Sequence, residues 1–338
     1  MSERSEPFAR RVKTGLAISA LAGIGLCVWL VAYYGATQVG QALLAIGWLG
    51  LAAMCAVHLV SLILCALAWR VVIIEAPQTV FQSCLWARWL RDGIGNVLPI
   101  FPAAGEVVAA RELSLAGVPA GVAGASTIVD MTAEMVSQLL FTLLGLGLLI
   151  WQRPETDYIW RLSGGLALAT ALVAGFIIAQ RKGLMRFLEA LPQKLGLHQP
   201  WAALPEANSI DSAMQKIYDD PARVAGSVAV HVAAWIAGAA EAWTALWFMG
   251  HPLGFGSILI IESLVFALRT MAFAVPWAAG VQEGGYVMLG ALFGLSPNVA
   301  LALSLLKRVR ELLTSVPALV IWQAAQLRKI AGVILRTK

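Results

Sequence analysis

Apolar stretches long enough to cross a lipid bilayer run through most of this chain, and they limit its fold more than any other feature. Of the 338 residues, 59% are hydrophobic and 13% are charged, whereas soluble domains carry about 25% charged residues. A crossing helix needs about 20 apolar residues, and a membrane barrel strand has only about 10, of alternating polarity. The unbroken apolar stretches therefore predict an all-α polytopic membrane protein.

Six uninterrupted apolar segments predict six full spans. They lie at 14–35, 45–70, 118–150, 159–179, 223–249 and 297–326. Basic residues cluster near 1–13, 181–186 and 328–338. The positive-inside rule assigns such clusters to the cytoplasm, so both termini are predicted to be cytoplasmic. No small-residue cleavage site follows the first segment, which indicates a retained helix rather than a removed signal peptide.

Two further apolar segments, 79–116 and 257–293, are interrupted by proline and glycine. Proline removes a backbone donor and glycine weakens a helix, so each half of these segments is too short to cross. Irregular backbone at membrane depth requires cover from protein or a wet cavity. We interpret both segments as re-entrant helical hairpins. If they cross the bilayer fully, the chain has eight full spans instead.

The two halves of the chain repeat each other at a shift of 177 positions. Helix breakers and rare acids coincide without a gap: Pro99 and Pro276, Glu106 and Glu283, Gly117 and Gly294, Glu134 and Glu311. Six spans and two hairpins give the halves opposite orientations, as in many transporters. The predicted units are a first membrane repeat at 1–180, a cytoplasmic or interfacial linker at 181–222, and a second repeat at 223–338.

Ionisable residues at membrane depth are costly unless they are paired, hydrated or in use. The candidate substrate-binding residues are Arg91, Asp92, Glu106, Arg111, Asp130, Glu134, Arg269, Glu283, Arg308 and Glu311. The repeat register aligns Asp130 with Lys307 and Asp92 with Arg269. We therefore expect Asp130 and Glu134 to face Lys307, Arg308 and Arg310, and Asp92 to pair with Arg269. An interhelical ion-pair lock is the alternative role for these acids.

Other polar groups keep more than one interpretation. Glu106 and Glu283 follow the two hairpin tips, where they would bind a cationic headgroup, relay protons or cap a half-helix. Arg111 would hold a phosphate or extend into the headgroup layer. The isolated polar residues His231, Glu241 and Glu262 suit packing as well as function. Cysteine and histidine show no metal-ligand spacing and no nucleotide-binding loop is present, so neither metal, cofactor nor nucleic acid is expected.

The residues around the two hairpins resemble a known family. The run from Pro99 to Glu106, with Arg111, Gly117, Asp130 and Glu134, is similar to the transmembrane module of lysylphosphatidylglycerol synthases. So are Glu262, Pro276, Gly280, Glu283, Arg308 and Glu311 in the second half. The resemblance covers about 15–330 and is nearest to stand-alone, hopanoid-biosynthesis-associated membrane proteins. One departure is that Val107 to Ala110 separate Glu106 from Arg111, where family members have the arginine closer.

The resemblance implies the transport half of such synthases without the soluble half that makes the aminoacylated lipid. Together with the duplicated charges, it predicts a translocase of the bacterial inner membrane that moves a hopanoid or a polar-headed lipid between leaflets. An integral-membrane lipid transferase and a non-catalytic scaffold of a lipid-synthesis complex are the alternatives, and a transporter is favoured over an enzyme. The expected partners are membrane lipids, lipid-biosynthesis enzymes and a second copy of the chain.

Overall fold

The computed structural model describes residues 44–74, 80–97, 104–152, 206–272 and 275–336, with a few single positions outside these ranges. Within them the regular secondary structure is helical. The predicted spans at 14–35 and 159–179 lie almost wholly outside the described residues. Residues 98–103, in the first predicted hairpin, and residues 181–205, in the predicted linker, lie outside them entirely.

Nine α-helices are present in the described ranges. They are α1 (Gly47–Val72), α2 (Val80–Val97), α3 (Ala104–Leu115), α4 (Ala120–Gln152), α5 (Glu206–Tyr218), α6 (Pro221–Phe248), α7 (Phe255–Met271), α8 (Val281–Ala291) and α9 (Pro297–Arg336). By length and composition, α1, α4 and α6 are able to cross a membrane. The predicted all-α membrane class and the spans at 45–70, 118–150 and 223–249 are therefore confirmed.

Each of the two broken segments forms a pair of short helices that pack against each other. In the first pair α3 starts beside α2, because Gly105 has no side chain. A Cβ atom at Gly105 would lie 2.6 Å from the backbone oxygen of Arg91. In the second pair α7 and α8 are joined by a short 3₁₀ turn at Pro276–Ala278, where Trp277 has φ 57° and Ala278 has φ 46°. Such left-handed conformations are strained for residues other than glycine.

The repeat at a shift of 177 positions is also present in the backbone. Helix α3 begins at 104 and α8 at 281, while α4 begins at 120 and α9 at 297. Both pairs of starts are therefore 177 residues apart. Gly117 and Gly294 both have positive φ, 97° and 81°. The residue after each glycine closes the preceding helix with a backbone bond, Val118 N to Leu113 O (3.2 Å) and Leu295 N to Gly290 O (3.0 Å). This is the Schellman pattern of helix ends.

The equivalent helices α1 and α6 pack side by side and run antiparallel. A Cβ atom at Gly50, near the start of α1, would meet Phe248 at the end of α6. At the other end, Arg223 Nη1 at the start of α6 donates to the backbone oxygen of Val71 (3.2 Å). The helix centres meet where Ser61 Oγ donates to the oxygen of Ala234 (3.0 Å). Two equivalent helices in this relation imply an approximate two-fold axis between them.

The hairpin of each half also packs on the last long helix of the other half. Asn96 in α2 donates to Ser315 Oγ in α9 (3.2 Å). At the corresponding place in the other half, Gln138 in α4 donates to Thr270 Oγ1 in α7 (2.5 Å). Because α2 packs on α9 and α7 packs on α4, the two halves enclose a common space.

The described part of the linker is a helix packed on the first half. Met214 and Ile217 of α5 are buried there. Gly121 and Gly124 of α4 lie against Ser209 and Ile210, which lets the two helices come close. Asp220 then caps α6, because its side chain accepts a bond from the backbone N–H of Arg223 (3.2 Å), and Pro221 occupies the first turn.

The close approach of α3 to α2 gives a direct test. We expect Gly105→Ala to lower the free energy of unfolding by about 1–3 kcal/mol, because the added Cβ meets rigid backbone at Arg91. Gly95→Ala in α2 is the matched control, since no atom lies within 4 Å of its Cβ position. Thermal unfolding in detergent compares the two variants, and equal stability of both would contradict the packing of this hairpin.

Candidate functional site

A cavity of about 310 Å³ lies between the two halves and is bordered by α1, α2, α3, α4, α6, α7 and α9. Its charged lining is mixed in sign. The bases are Arg88, Arg91, Arg269, Lys307 and Arg310, and the acids are Asp92, Glu106, Glu134, Glu241, Glu262 and Glu311. His58 and several aromatic side chains complete the wall.

The first half contributes two arginines that face acids on α4. Arg88 and Arg91 are three residues apart on α2, and Asp130 and Glu134 are four apart on α4, so each pair lies on one helix face. Both terminal guanidinium nitrogens of Arg88, Nη1 and Nη2, donate to Glu134, at 3.0 and 2.6 Å. Arg91 donates to Asp130 Oδ2 at 3.0 Å and to Glu134 Oε2 at 2.8 Å. Both arginines thus join α2 to α4 through charge-assisted hydrogen bonds.

Two further acids and a histidine extend this first cluster. Asp92 accepts from Arg88 Nε at 3.0 Å, and Glu106, in the first turn of α3, lies 3.4 Å from Arg91 Nε. His231 of α6 bonds through Nε2 to Asp130 Oδ1 at 2.9 Å. The cluster therefore joins α2, α3, α4 and α6.

The second half builds its cluster mainly with basic residues on α9 and acids on α6 and α7. Arg310 Nε donates to Glu241 Oε1 of α6 at 2.9 Å, and Lys307 pairs with Glu262 of α7. Tyr286 donates its hydroxyl proton to Glu262 at 2.6 Å. Arg269 and Glu311 form a looser pair at 3.5 Å, at the edge of the cavity.

His58 bridges the members of one of these pairs. Its Nε2 lies 3.5 Å from Arg310 Nη1, and its Nδ1 lies 3.4 Å from Glu241 Oε2. Arginine has only donors. In this contact the guanidinium of Arg310 is therefore the donor and His58 Nε2 the acceptor.

Glu283 and Arg308 form a separate pair that stabilises the second hairpin. Glu283 accepts from the backbone N–H of Gly280 at 2.7 Å and from Arg308 Nε at 2.7 Å. Arg308 also donates to the backbone oxygen of Trp277 at 3.3 Å. Among the roles expected for Glu283, the contacts match the capping of a half-helix. This pair does not line the cavity.

The structure brings most of the ten predicted site residues together. Six of them line the cavity: Arg91, Asp92, Glu106, Glu134, Arg269 and Glu311. Asp130 is fully buried directly behind this wall. Glu283 and Arg308 stabilise the hairpin turn instead. Arg111 lies apart, with 58% of its side chain exposed, and its Nη1 is 3.9 Å from Glu112.

The expected pairing of these charges is wrong in detail. Asp130 and Glu134 do not face the bases of α9, because Arg88 and Arg91 reach them from α2. The α9 bases bind Glu262, Glu283 and Glu241 on three other helices. Asp92 pairs with Arg88, and Arg269 pairs with Glu311. The repeat register relates positions by symmetry, and symmetry-related positions need not be in contact.

Arg88 is a charged residue of the cavity wall that the sequence interpretation missed. A signal for it exists, because Arg88, Arg91 and Asp92 share one face of an otherwise uncharged helix. His58 was also not selected, since its neighbours along the long helix α1 are mostly apolar. His231, Glu241 and Glu262 are not isolated, since each has an ionisable partner in the two clusters.

These features define an integral membrane protein with a charged chamber between two related helical halves. The family model of the lysylphosphatidylglycerol synthase transmembrane region matches residues 14–318. The chain therefore belongs to that family, whose members are integral membrane proteins of lipid metabolism or translocation. Searches of curated proteins and of solved structures gave no match to the chain.

The first cluster makes a prediction about stability. Arg88→Ala removes one partner of a buried pair, and such a change costs about 3–5 kcal/mol because the remaining charge is left uncompensated. Arg111→Ala, at an exposed position, is expected to change stability by less than about 0.5 kcal/mol. Thermal unfolding in detergent measures both. A variant at Arg88 as stable as the one at Arg111 would show that the cluster does not stabilise the fold.

Proposed function

We propose that this protein moves a polar-headed lipid between the leaflets of the bacterial inner membrane. The headgroup passes through the charged cavity while the acyl chains stay in the surrounding lipid. The observation that carries the proposal is the cavity itself, which both halves line with charged side chains. A purely structural set of ion pairs requires no enclosed space beside it.

The cavity wall contains both acids and bases, which favours a substrate lipid whose headgroup carries ionic groups. Bases on α2 and α9 suit a phosphate, and acids on α2, α3 and α7 suit an amine. A headgroup that enters the cavity exchanges its water for these side chains, which lowers the cost of carrying charge through the bilayer. The family resemblance adds a hopanoid as a second candidate substrate.

The proposed topology has six full spans and two re-entrant hairpins in an inverted repeat. The short helices α3 and α8 contain 12 and 11 residues, so they are about 18 and 16 Å long. Both are well below the ~30 Å of a bilayer core. The antiparallel packing of α1 against α6 supports opposite orientations of the two halves. In this arrangement the hairpins approach the cavity from opposite sides of the membrane and gate it alternately.

The topology is tested by single cysteines at the two hairpin turns. We expect Ala103→Cys and Ala279→Cys, in a chain whose native cysteines are replaced by alanine, to react with membrane-impermeant thiol reagents from opposite sides. Labelling in intact cells and in inverted vesicles compares the two faces. If both positions react from the same side, the inverted arrangement is incorrect.

The transport activity is tested with purified protein in liposomes. We expect faster exchange of a headgroup-labelled lipid between leaflets than in protein-free vesicles, measured across a panel that includes phospholipids, an aminoacylated phospholipid and a hopanoid. Arg269→Gln, which removes a base with 23% of its side chain exposed from the cavity wall, should slow exchange about tenfold, equivalent to roughly 1.4 kcal/mol.

The matched control is Arg111→Gln, which removes the same charge outside the cavity and should leave exchange unchanged. Equal effects of the two substitutions on exchange would show that transport does not depend on the charged wall of the cavity. An absence of exchange for each lipid in the panel would contradict the proposed function as a whole.

A further inference from the structure

Three side chains with metal-binding atoms converge on one wall of the cavity. They are Cys65 of α1, Glu134 of α4 and His231 of α6. The Cys65 Sγ, one Glu134 oxygen and one His231 ring nitrogen all lie within 4.8 Å of one another. A tetrahedral zinc ion with bonds of about 2.3 Å to sulfur and 2.0 Å to nitrogen holds its ligands roughly 3.5 Å apart. Small side-chain rotations therefore bring the three atoms onto one ion.

The histidine has the environment of a metal ligand. Its side chain is 1% exposed, Nε2 is bonded to Asp130 at 2.9 Å, and Nδ1 has no hydrogen-bond partner. A buried polar atom without a partner is costly. Metal-bound histidines usually bond through the second ring nitrogen to a carboxylate, which orients the ring. An ion bound by Nδ1 would complete this arrangement, with Asp130 as the orienting carboxylate.

The local charge favours a cation. In the described part of the chain, the first cluster contains four carboxylates, Asp92, Glu106, Asp130 and Glu134, against two guanidinium groups, Arg88 and Arg91. A metal-bound Cys65 thiolate adds one more negative charge. Excess negative charge at membrane depth requires compensation, and a divalent cation supplies it. Glu134 accepts from both arginines, but a carboxylate has about four lone-pair sites, so it retains capacity for a metal bond.

We propose that Cys65, Glu134 and His231 bind a divalent zinc-type cation. Thiolate, imidazole and carboxylate together are ligands that zinc accepts, and three protein ligands leave a fourth position open. Cys65 and Glu134 line the cavity, so the open position faces the space between the two halves. The ion joins α1, α4 and α6 and adds a positive charge to the cavity wall.

The sequence conceals this site because its ligands come from three helices. Cys65 and Glu134 are 69 positions apart, and Glu134 and His231 are 97 apart. No short metal-binding motif results, so the spacing of cysteine and histidine along the chain does not indicate a metal. The antiparallel packing of α1 on α6 places Cys65 beside His231, and α4 brings Glu134 to them.

The test measures metal bound by the purified full chain, without any lipid substrate. After exposure to zinc and removal of excess ion, we expect about one zinc per chain by elemental analysis. Cys65→Ser and His231→Gln should each lose most of it. Cys84→Ser is the matched control, because Cys84 is also a buried free cysteine but lies outside the cluster, and it should retain the metal.

A second measurement keeps the proposal testable if the variants fold poorly. Cobalt added to the unmodified chain should give the near-ultraviolet absorption of a thiolate–cobalt bond, and zinc should displace it. Absence of this absorption, or zinc retained in full by a folded Cys65→Ser variant, would overturn the proposal. Zinc binding without leaflet exchange would support the metal site and count only against the proposed transport function.

Discussion

Buried ion pairs between helices are the interaction on which the rest of this structure depends. In a membrane, an unpaired charge at mid-depth costs several kcal/mol, so each charged side chain on an interior helix face constrains which helices become neighbours. Arg88 and Arg91 bring α2 to α4, and Arg310 brings α9 to α6. Removing one partner of such an ion pair leaves the charge of the other uncompensated. The pairs therefore make the choice of neighbouring helices specific even where their net stabilisation is small.

The two halves share a backbone plan and differ in the sign of some of their charges. Helix starts, the positive φ angles at Gly117 and Gly294, and the helix-closing bonds after them recur at one fixed shift. The charges recur only in part: Glu134 corresponds to Glu311, but Asp130 corresponds to Lys307 and Asp92 to Arg269. A cavity lined by two identical sets would place like charges opposite each other. Divergence of sign between the halves gives a lining in which acids and bases are nearly balanced.

The sequence predicted the helical membrane class and the three long apolar spans in the described residues. These features depend on local composition and on spacing along the chain, which are visible without coordinates. It also selected six of the eleven charged residues that line the cavity in the described part of the chain, since ionisable residues in apolar helices are rare. It did not predict their partners. Glu241 and Glu262 seemed isolated because Arg310 and Lys307 are 69 and 45 residues away.

What the sequence by itself determined is which residues are able to cross a bilayer and which of them are too polar to face lipid. Only the tertiary structure decided that α1 and α6 pack against each other, that the hairpin of each half packs on the last long helix of the other half, and that the charges surround one cavity. The physical reason is that hydrophobicity acts on each segment separately, whereas ion pairs require two side chains at the same place. Helix packing decides which side chains meet, and it brings together residues that are tens to hundreds of positions apart in the chain.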